Sequence, residues 1–396
     1  MSILAININP KRKILFAILA ILIVPISGLS IDIYAPSLPG VAHYFNVDKS
    51  LVQLTITAYM LGLGMMQLFA GSISDSFGRR RPFLIASTIF LLSTLVIPYV
   101  ENIHQLLVLR FIQGIAVAIT VVPIRSIIPD LFENQELYKW MNYMVMAWSI
   151  GPIVAPAIGG YFQHYFGWKS NFYFLFLYAL ITALLVYFFV PETSKHRHAF
   201  KLADIFQRYK TIMTNKDYLK ALVMNGLLYA ILILFTVAGP FLVQIDMHYT
   251  AIAFGKMALL IGLCWFFGTM TNRFLLAFSN EKKMLVCLLL MSIIAMLMLI
   301  SAIYFKMNIY VLLLPLICLA WLGGIIFPNN FAKAVSLFPT MSASSNALFA
   351  GFIYIITGIV SSLAIYLKSV TLIPLALTYA GLVGLCLVIT QTKNGK

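Results

Sequence analysis

The chain has 396 residues, 62% of them apolar and 10% charged, with a mean hydropathy of +0.96. Soluble domains average about 45–50% apolar and about 25% charged residues, so a water-soluble enzyme, a disordered protein and a nucleic-acid module are excluded and an integral membrane protein remains. The net charge of +15, from 27 Lys and Arg against 12 Asp and Glu, is scattered over short loops and makes no basic face or tail for nucleic acid.

Twelve mostly apolar runs follow one another, each long enough at about 1.5 Å per residue to cross about 30 Å of hydrocarbon. Their limits are 14–39, 51–71, 83–100, 105–128, 141–163, 171–190, 221–243, 254–273, 284–304, 309–331, 343–366 and 371–390. The first follows Lys11-Arg12-Lys13 like a signal peptide, but it continues past a cleavable length without a small-residue site and is expected to remain as a span. With the amino terminus placed in the cytoplasm, 21 Lys and Arg fall on that side, Arg125, Lys139, Lys393 and Lys396 among them. The opposite side has 5 (Lys49, Lys169, Lys256, Lys306 and Lys368), and Arg110 lies within a span. Short-loop cations mark the inner face, so both termini are expected to be cytoplasmic.

The one long polar stretch, Pro191 to Lys220, carries Lys195, Arg197, Lys201, Arg208, Lys210, Lys216 and Lys220. Phe200, Leu202, Ile205 and Phe206 predict a surface-lying amphipathic helix there, and a solvated topogenic linker is favoured over a lipid or partner site. The chain thus divides into a bundle of six spans over 1–190, a linker over 191–220 and a second bundle of six over 221–396. Gly71-Ser-Ile-Ser-Asp75 after the second span and Gly268-Thr-Met-Thr-Asn272-Arg273 after the eighth hint at two related halves, as in transporters that rock about a central site. Cys264, Cys287, Cys318 and Cys386 lie inside apolar runs without metal or disulfide spacing, and read as small core or lipid-facing residues.

Asp32 is the one acid well inside a span, where an ionised carboxylate costs several kcal/mol unless it meets water or a partner. A functional role is favoured over an acid at a kink made by Pro36. Arg110 is read as the only basic residue well inside a span, with Gln113 on the same helix face. Snorkelling to the outer surface competes evenly with a role inside. The turn Gly71, Asp75, Gly78, Arg79, Arg80, Arg81, Pro82 is favoured as a conformational latch over topogenic charge alone. In the fifth span Ala147, Gly151, Ala155 and Gly159 form a small-residue stripe flanked by Pro152, Pro156 and Gly160, suited to close helix contact. Candidates to line a substrate cavity are Tyr34, Tyr59, Gln67, Trp148, Asn225, Tyr229, Phe235, Asn329 and Tyr354.

Asp32-Ile-Tyr34-Ala-Pro36-Ser-Leu-Pro39, Gly71 through Arg80, Arg110-Phe-Ile-Gln113-Gly114 and Ala155-Pro156-Ala-Ile-Gly159-Gly160 together resemble successive signatures of the major facilitator superfamily. The first and last are similar to its twelve-helix drug:proton antiporters of the bicyclomycin-resistance (Bcr/CflA) branch, as are Val52-Gln53-Leu54-Thr55 and Phe349-Ala-Gly351-Phe352. The resemblance covers the whole chain. It implies an all-α integral membrane fold of twelve transmembrane helices in two pseudo-symmetric six-helix bundles, working by alternating access. It also implies Asp32 as proton or cation acceptor, Arg110 with Gln113 as coupling residues, the Gly71–Arg80 loop as cytoplasmic latch and the fifth helix as a barrier to leak. Two departures stand out: Pro129-Asp130 replaces the branch's Arg-Asp pair, and Ala155 replaces the glycine before Pro156.

The expectation is a proton-coupled efflux pump of a bacterial inner membrane. It is driven by the proton gradient without a cofactor or metal, exports lipophilic or cationic small molecules, binds no nucleic acid and acts as a monomer. A dedicated exporter of one metabolite, sugar or siderophore is the alternative. An intramembrane enzyme is disfavoured because no His lies centrally in a span, and a channel because no filter-like loop or ring of charges appears.

Overall fold

The computed structural model describes residues 9–194, 200–275, 277–305, 307–366 and 371–391. Lys195, Arg197, Lys306, Lys368, Lys393 and Lys396 lie outside the described residues. Within them the chain is all helical, with twelve helices long and apolar enough to cross a membrane. These spans are Pro10–Phe45, Lys49–Phe77, Arg80–Tyr99, Ile103–Leu131, Asn134–Phe166, Lys169–Phe189, Lys216–Asp246, Ala251–Phe274, Asn280–Tyr304, Ile309–Ser336, Pro339–Tyr366 and Ile373–Gln391. An even number of crossings puts Pro10 and Gln391 on one face, called here the terminus side; the other is the far side.

Local chemistry sets the ends. Side chains of Asp48, Asn102, Asn215, Thr250, Ser279 and Asn308 each accept a backbone N–H at the start of a span, satisfying donors that a helix start leaves free. Gly78 and Gly167 close the second and fifth spans with φ of +92° and +78°, the left-handed region that glycine enters without a Cβ clash. Several spans outrun the apolar runs that predicted them, because helix continues past the hydrocarbon into polar ends. The fourth reaches Leu131 instead of stopping near 128.

The first span is broken in two places. Helix runs over Pro10–Ile23, resumes as Ile26–Asp32, tightens to a 3₁₀ turn at Ala35–Ser37 and continues as Leu38–Phe45. Pro25 and Pro36 lack the N–H that would continue the ladder, so the break beside Asp32 follows from the sequence.

The two halves repeat each other's packing. In the first, the second and fourth spans approach so closely at Gly62 and Gly114 that an added Cβ would overlap the Phe111 and Tyr59 carbonyl oxygens. In the second, Gly268 and Gly324 bring the eighth and tenth spans together in the same way, against the Trp321 and Trp265 carbonyls. The similar Gly71–Asp75 and Gly268–Asn272 stretches both end in polar clusters on the terminus side. Arg79 bridges Asp75 (2.5 Å) and Asp130 (3.1 Å), while Asn272 accepts from Asn329 (2.8 Å) and from the Lys283 ammonium (3.2 Å).

The halves meet through the fifth and eighth spans and through the second and eleventh. Gly160 abuts Ala251, Gly255 abuts Pro156 and Gly64 abuts Gly351, each backbone to backbone. Far-side bonds join them: Gln53 Nε2 to the Val237 carbonyl (3.2 Å), Gln244 Nε2 to the Pro36 carbonyl (2.9 Å), and Thr57 to Ser361 (3.2 Å). These approaches run from mid-depth to the far side, so the molecule is closed there.

The linker helix is Leu202–Met213. It lies on the second span: Tyr209 donates to the Leu68 carbonyl (2.5 Å), Phe206 meets Phe69 at 6.3 Å, and Phe200 just before the helix meets Phe77 at 6.5 Å. Ile205 and Ile212 are buried, whereas Leu202 and Phe206 stay exposed. The four cysteines are free thiols.

Candidate functional site

Asp32 is the last residue of the helical piece Ile26–Asp32 and is 5% exposed. Among the described residues its carboxylate has no hydrogen-bond or ion-pair partner. Tyr59 of the second span and Tyr229 and Tyr354 of the seventh and eleventh lie within electrostatic reach of it, so it sits where the two halves meet.

Arg110 is fully buried and does not snorkel. Its fork donates from Nη1 to Gln113 Oε1 (2.9 Å) and from Nη2 to the Ser30 carbonyl (3.1 Å), while Gln113 Nε2 donates to Thr94 Oγ1 (2.7 Å). The guanidinium also lies 4.5 Å from the Tyr59 ring centre, 5.0 Å from Tyr34 and 6.0 Å from Phe172. Aromatic faces carry negative potential, so such a cage offsets part of the cost of a buried cation. No ion pair joins Arg110 to Asp32 among the described residues. Tyr34 and Tyr59 are both fully buried; Tyr34 accepts from Thr55 (3.2 Å) and Tyr59 donates to the Ser27 carbonyl (3.1 Å). They form the wall of the arginine cage rather than a surface open to substrate.

The other cavity candidates separate into two groups. Tyr229 and Tyr354 meet at 6.3 Å, Tyr229 meets Phe327 at 6.4 Å, and Asn225 donates to the Phe327 carbonyl (3.0 Å) while its buried Oδ1 has no partner. Trp148 is half-buried against the first-half core around Ile124 and Ile128. Phe235 stacks on Phe254 at 5.3 Å and is core; Asn329 is taken up by Asn272, and Gln67 is buried in the second span.

Arg125 lies inside the fourth apolar run, three residues from its end, although its charge groups it with the loop cations. The fourth span carries it six residues inside its end at Leu131, about 9 Å at 1.5 Å per residue. Its guanidinium sits 4.9 Å from the Trp148 ring centre, and Tyr354 lies within its electrostatic reach. Arg110 is therefore not the only cation inside a span. The sequence signal was the placement of Arg125 between Pro123 and Pro129, within a helix that continues through both.

On the terminus side the turn after the second span forms a closed polar knot. Arg79 Nη1 also donates to Ser74 Oγ (2.9 Å), and Thr193 donates to Asp130 (3.0 Å). The Glu192 carboxylate accepts the Arg79 and Arg80 backbone N–H groups (2.8 and 3.3 Å) in the space that a side chain at Gly78 would occupy. Arg80 reaches the Tyr187 carbonyl (2.6 Å). Nothing lies within 4 Å of a Cβ built on Gly71. Pro129-Asp130 thus supplies an acid to Arg79, and Glu192 joins from beyond the sixth span.

The fifth-span stripe is wedged between two partners. Gly151 and Gly159 abut the Pro25 and Ile33 backbones of the first span, Pro152 fits against Gly28, and Gly160 and Pro156 abut the eighth span. The stripe therefore holds the broken first span, and with it Asp32, against the joint between the halves.

The sequence profile of the Major Facilitator Superfamily matches residues 20–390. The chain is 28% identical over 364 residues to a bicyclomycin resistance protein homolog of Haemophilus influenzae, covering 91% of this chain and 90% of that one. It is 26% identical over 362 residues to multidrug resistance protein D of Escherichia coli, covering 89% of each. Its fold is similar to that of a D-xylose–proton symporter, with a TM-score of 0.77 at 15% identity over 95% of this chain and 96% of that one. The inward-open xylose transporter XylE of E. coli superposes with a TM-score of 0.75 at 14% identity over 97% of each chain. These relatives and structural neighbours are transporters and not enzymes. With a match over nearly its whole length and twelve spans in two related bundles, the chain belongs to the major facilitator superfamily.

Proposed function

We propose that the protein is a proton-coupled exporter of small organic molecules in a bacterial inner membrane, with both termini cytoplasmic and Asp32 as the proton carrier. The observation that carries this reading is the unpartnered Asp32 carboxylate, buried at a helix break where two halves meet. An ionised carboxylate there costs several kcal/mol, and a proton removes that cost, so the charge of the joint between the halves is set by whether the proton is aboard. Arg110 and Gln113 fix the backbone of the first span through the Ser30 carbonyl, two residues before Asp32, so they act as positioning residues for the acid. The Gly71–Arg80 turn, locked to Asp130 and Glu192, holds the first bundle's terminus-side ends as one body while the halves rock. The similarity to bicyclomycin- and multidrug-resistance proteins supports export of drug-like cargo.

The test is proton movement in proteoliposomes on addition of candidate drugs, wild type beside Asp32→Asn. Proton release driven by cargo in the wild type and absent from the variant is expected. Equal, proton-independent transport by both proteins would make Asp32 structural and the protein a facilitator.

A further inference from the structure

Of the Asp, Glu, Lys and Arg side chains, three lie at least six positions from either end of their spans: Asp32, Arg110 and Arg125. Two are cations and one is an acid. Arg110 is spoken for, since its fork is bonded and its faces are enclosed. Arg125 has no such arrangement. It is only partly buried, no carboxylate or carbonyl among the described residues accepts from it, and its guanidinium lies over the face of Trp148. A guanidinium at that depth exposes a planar fork whose natural complement is a carboxylate, and an indole face beneath a fork holds it flat for that approach.

The arrangement of neighbours gives the pocket direction. Trp148 lies one turn toward the terminus side of Gly151 and Pro152, which abut Pro25 and Gly28 of the first span. Asp32 lies farther along that span toward the far side. Arg125 and Asp32 therefore occupy different depths, with Tyr354 in reach of both and Tyr229 beside it. Tyr354, in reach of both charges, adjoins Tyr229, which in turn adjoins Phe327.

We infer that Arg125, seated on Trp148, is the docking point for an acidic group of the cargo, whose apolar body lies along Tyr354 and Tyr229. The charge balance agrees. With Asp32 ionised the intramembrane groups sum to +1, so a cargo monoanion brings the region to neutrality, whereas a cargo cation raises it to +2 in a medium that penalises net charge. The cargo class changes accordingly, from lipophilic cations to molecules bearing a carboxylate or an equivalent monoanion. This rests on the reading of the cavity as the transport path, but it concerns binding and not proton coupling.

The test is equilibrium binding of three matched probes to the full-length protein in lipid nanodiscs: dansylglycine (carboxylate), dansylamide (neutral) and dansylcadaverine (ammonium). Energy transfer from Trp148 reports binding, and loss of that signal in Trp148→Phe assigns it to this site. Dansylglycine is expected to bind at least about tenfold more tightly than dansylamide, the yield of a charge-assisted bidentate contact. Arg125→Gln is expected to abolish the difference and Arg125→Lys to retain part of it, with an unchanged thermal unfolding midpoint showing that each variant is folded. Absence of dansylglycine binding, equal affinity of the two probes in the wild type, survival of the difference in Arg125→Gln, or tightest binding of dansylcadaverine would each overturn the inference. No gradient is present, so a failure here is separable from failure of proton exchange in proteoliposomes.

Discussion

Gly160 offers a direct test of how the halves close. A Cβ added there would stand 2.5 Å from the Ala251 carbonyl oxygen, 3.2 Å from its carbon and 3.3 Å from the Ile252 Cα. Ordinary contact begins near 3.4 Å, so Gly160→Ala forces an opening of about 0.9 Å between two backbones, and no side chain can rotate away. Overpacking of this kind costs about 1–3 kcal/mol. The gain in helix propensity on replacing glycine, about 0.5–1 kcal/mol, is the same whether the far side is open or closed and drops out of their ratio. The far-side-open population therefore rises by about 5- to 150-fold relative to the closed one. The assay is a spin-label distance measurement between Phe166→Cys and Tyr249→Cys, exposed residues of the two halves on the far side, in a protein whose four native cysteines are replaced. A longer distance population is expected to grow in Gly160→Ala, and Gly381→Ala, with nothing within 4 Å of its Cβ, serves as control. An unchanged distribution in Gly160→Ala, or an equal change in Gly381→Ala, would refute the reasoning.

Two further outcomes follow from the same contacts. Arg110→Lys keeps the charge but has no fork to serve Gln113 and the Ser30 carbonyl together; loss of one charge-assisted bond, about 1.5–3 kcal/mol, is expected to slow cargo-driven proton flux about tenfold or more, and wild-type flux in this variant would remove Arg110 from any positioning role. Asp130→Asn and Asp75→Asn both weaken Arg79, and because they share that partner their effects on thermal stability are expected to be non-additive by about 0.5 kcal/mol or more in a double-mutant cycle. Simple additivity would mean that the two ion pairs of Arg79 are independent contacts.

The twelve spans and the two-bundle order were legible because hydrocarbon thickness is a length requirement that apolar runs state openly. Asp32 was legible for the converse reason, as a charge where composition forbids one. The shared face of Arg110 and Gln113 followed from helix spacing alone. What spacing does not reveal is rotation about the helix axis relative to a partner far away in sequence. Tyr34 and Tyr59 carry the same residue type as Tyr229 and Tyr354, yet the first pair encloses Arg110 and the second lies beside Asp32. Arg125 was lost for another reason: it lies three residues from the end of the apolar run 105–128, where a charge reads as belonging to the next loop, whereas the helix itself continues to Leu131. Glu192 was hidden because its partners, the Arg79 and Arg80 amides, are more than a hundred residues away.

The cage around Arg110 is built only from residues of the first half, whereas three of the bonds sealing the far side cross between halves and are neutral. At about 0.5–1.5 kcal/mol each, those three together hold about 1.5–4.5 kcal/mol. One elementary charge crossing 100 mV releases about 2.3 kcal/mol. Under the proposed proton coupling the clasp is matched in strength to the stroke that must undo it: tight enough to keep ions from slipping through an idle carrier, and weak enough that one turn of the cycle reopens it without stalling.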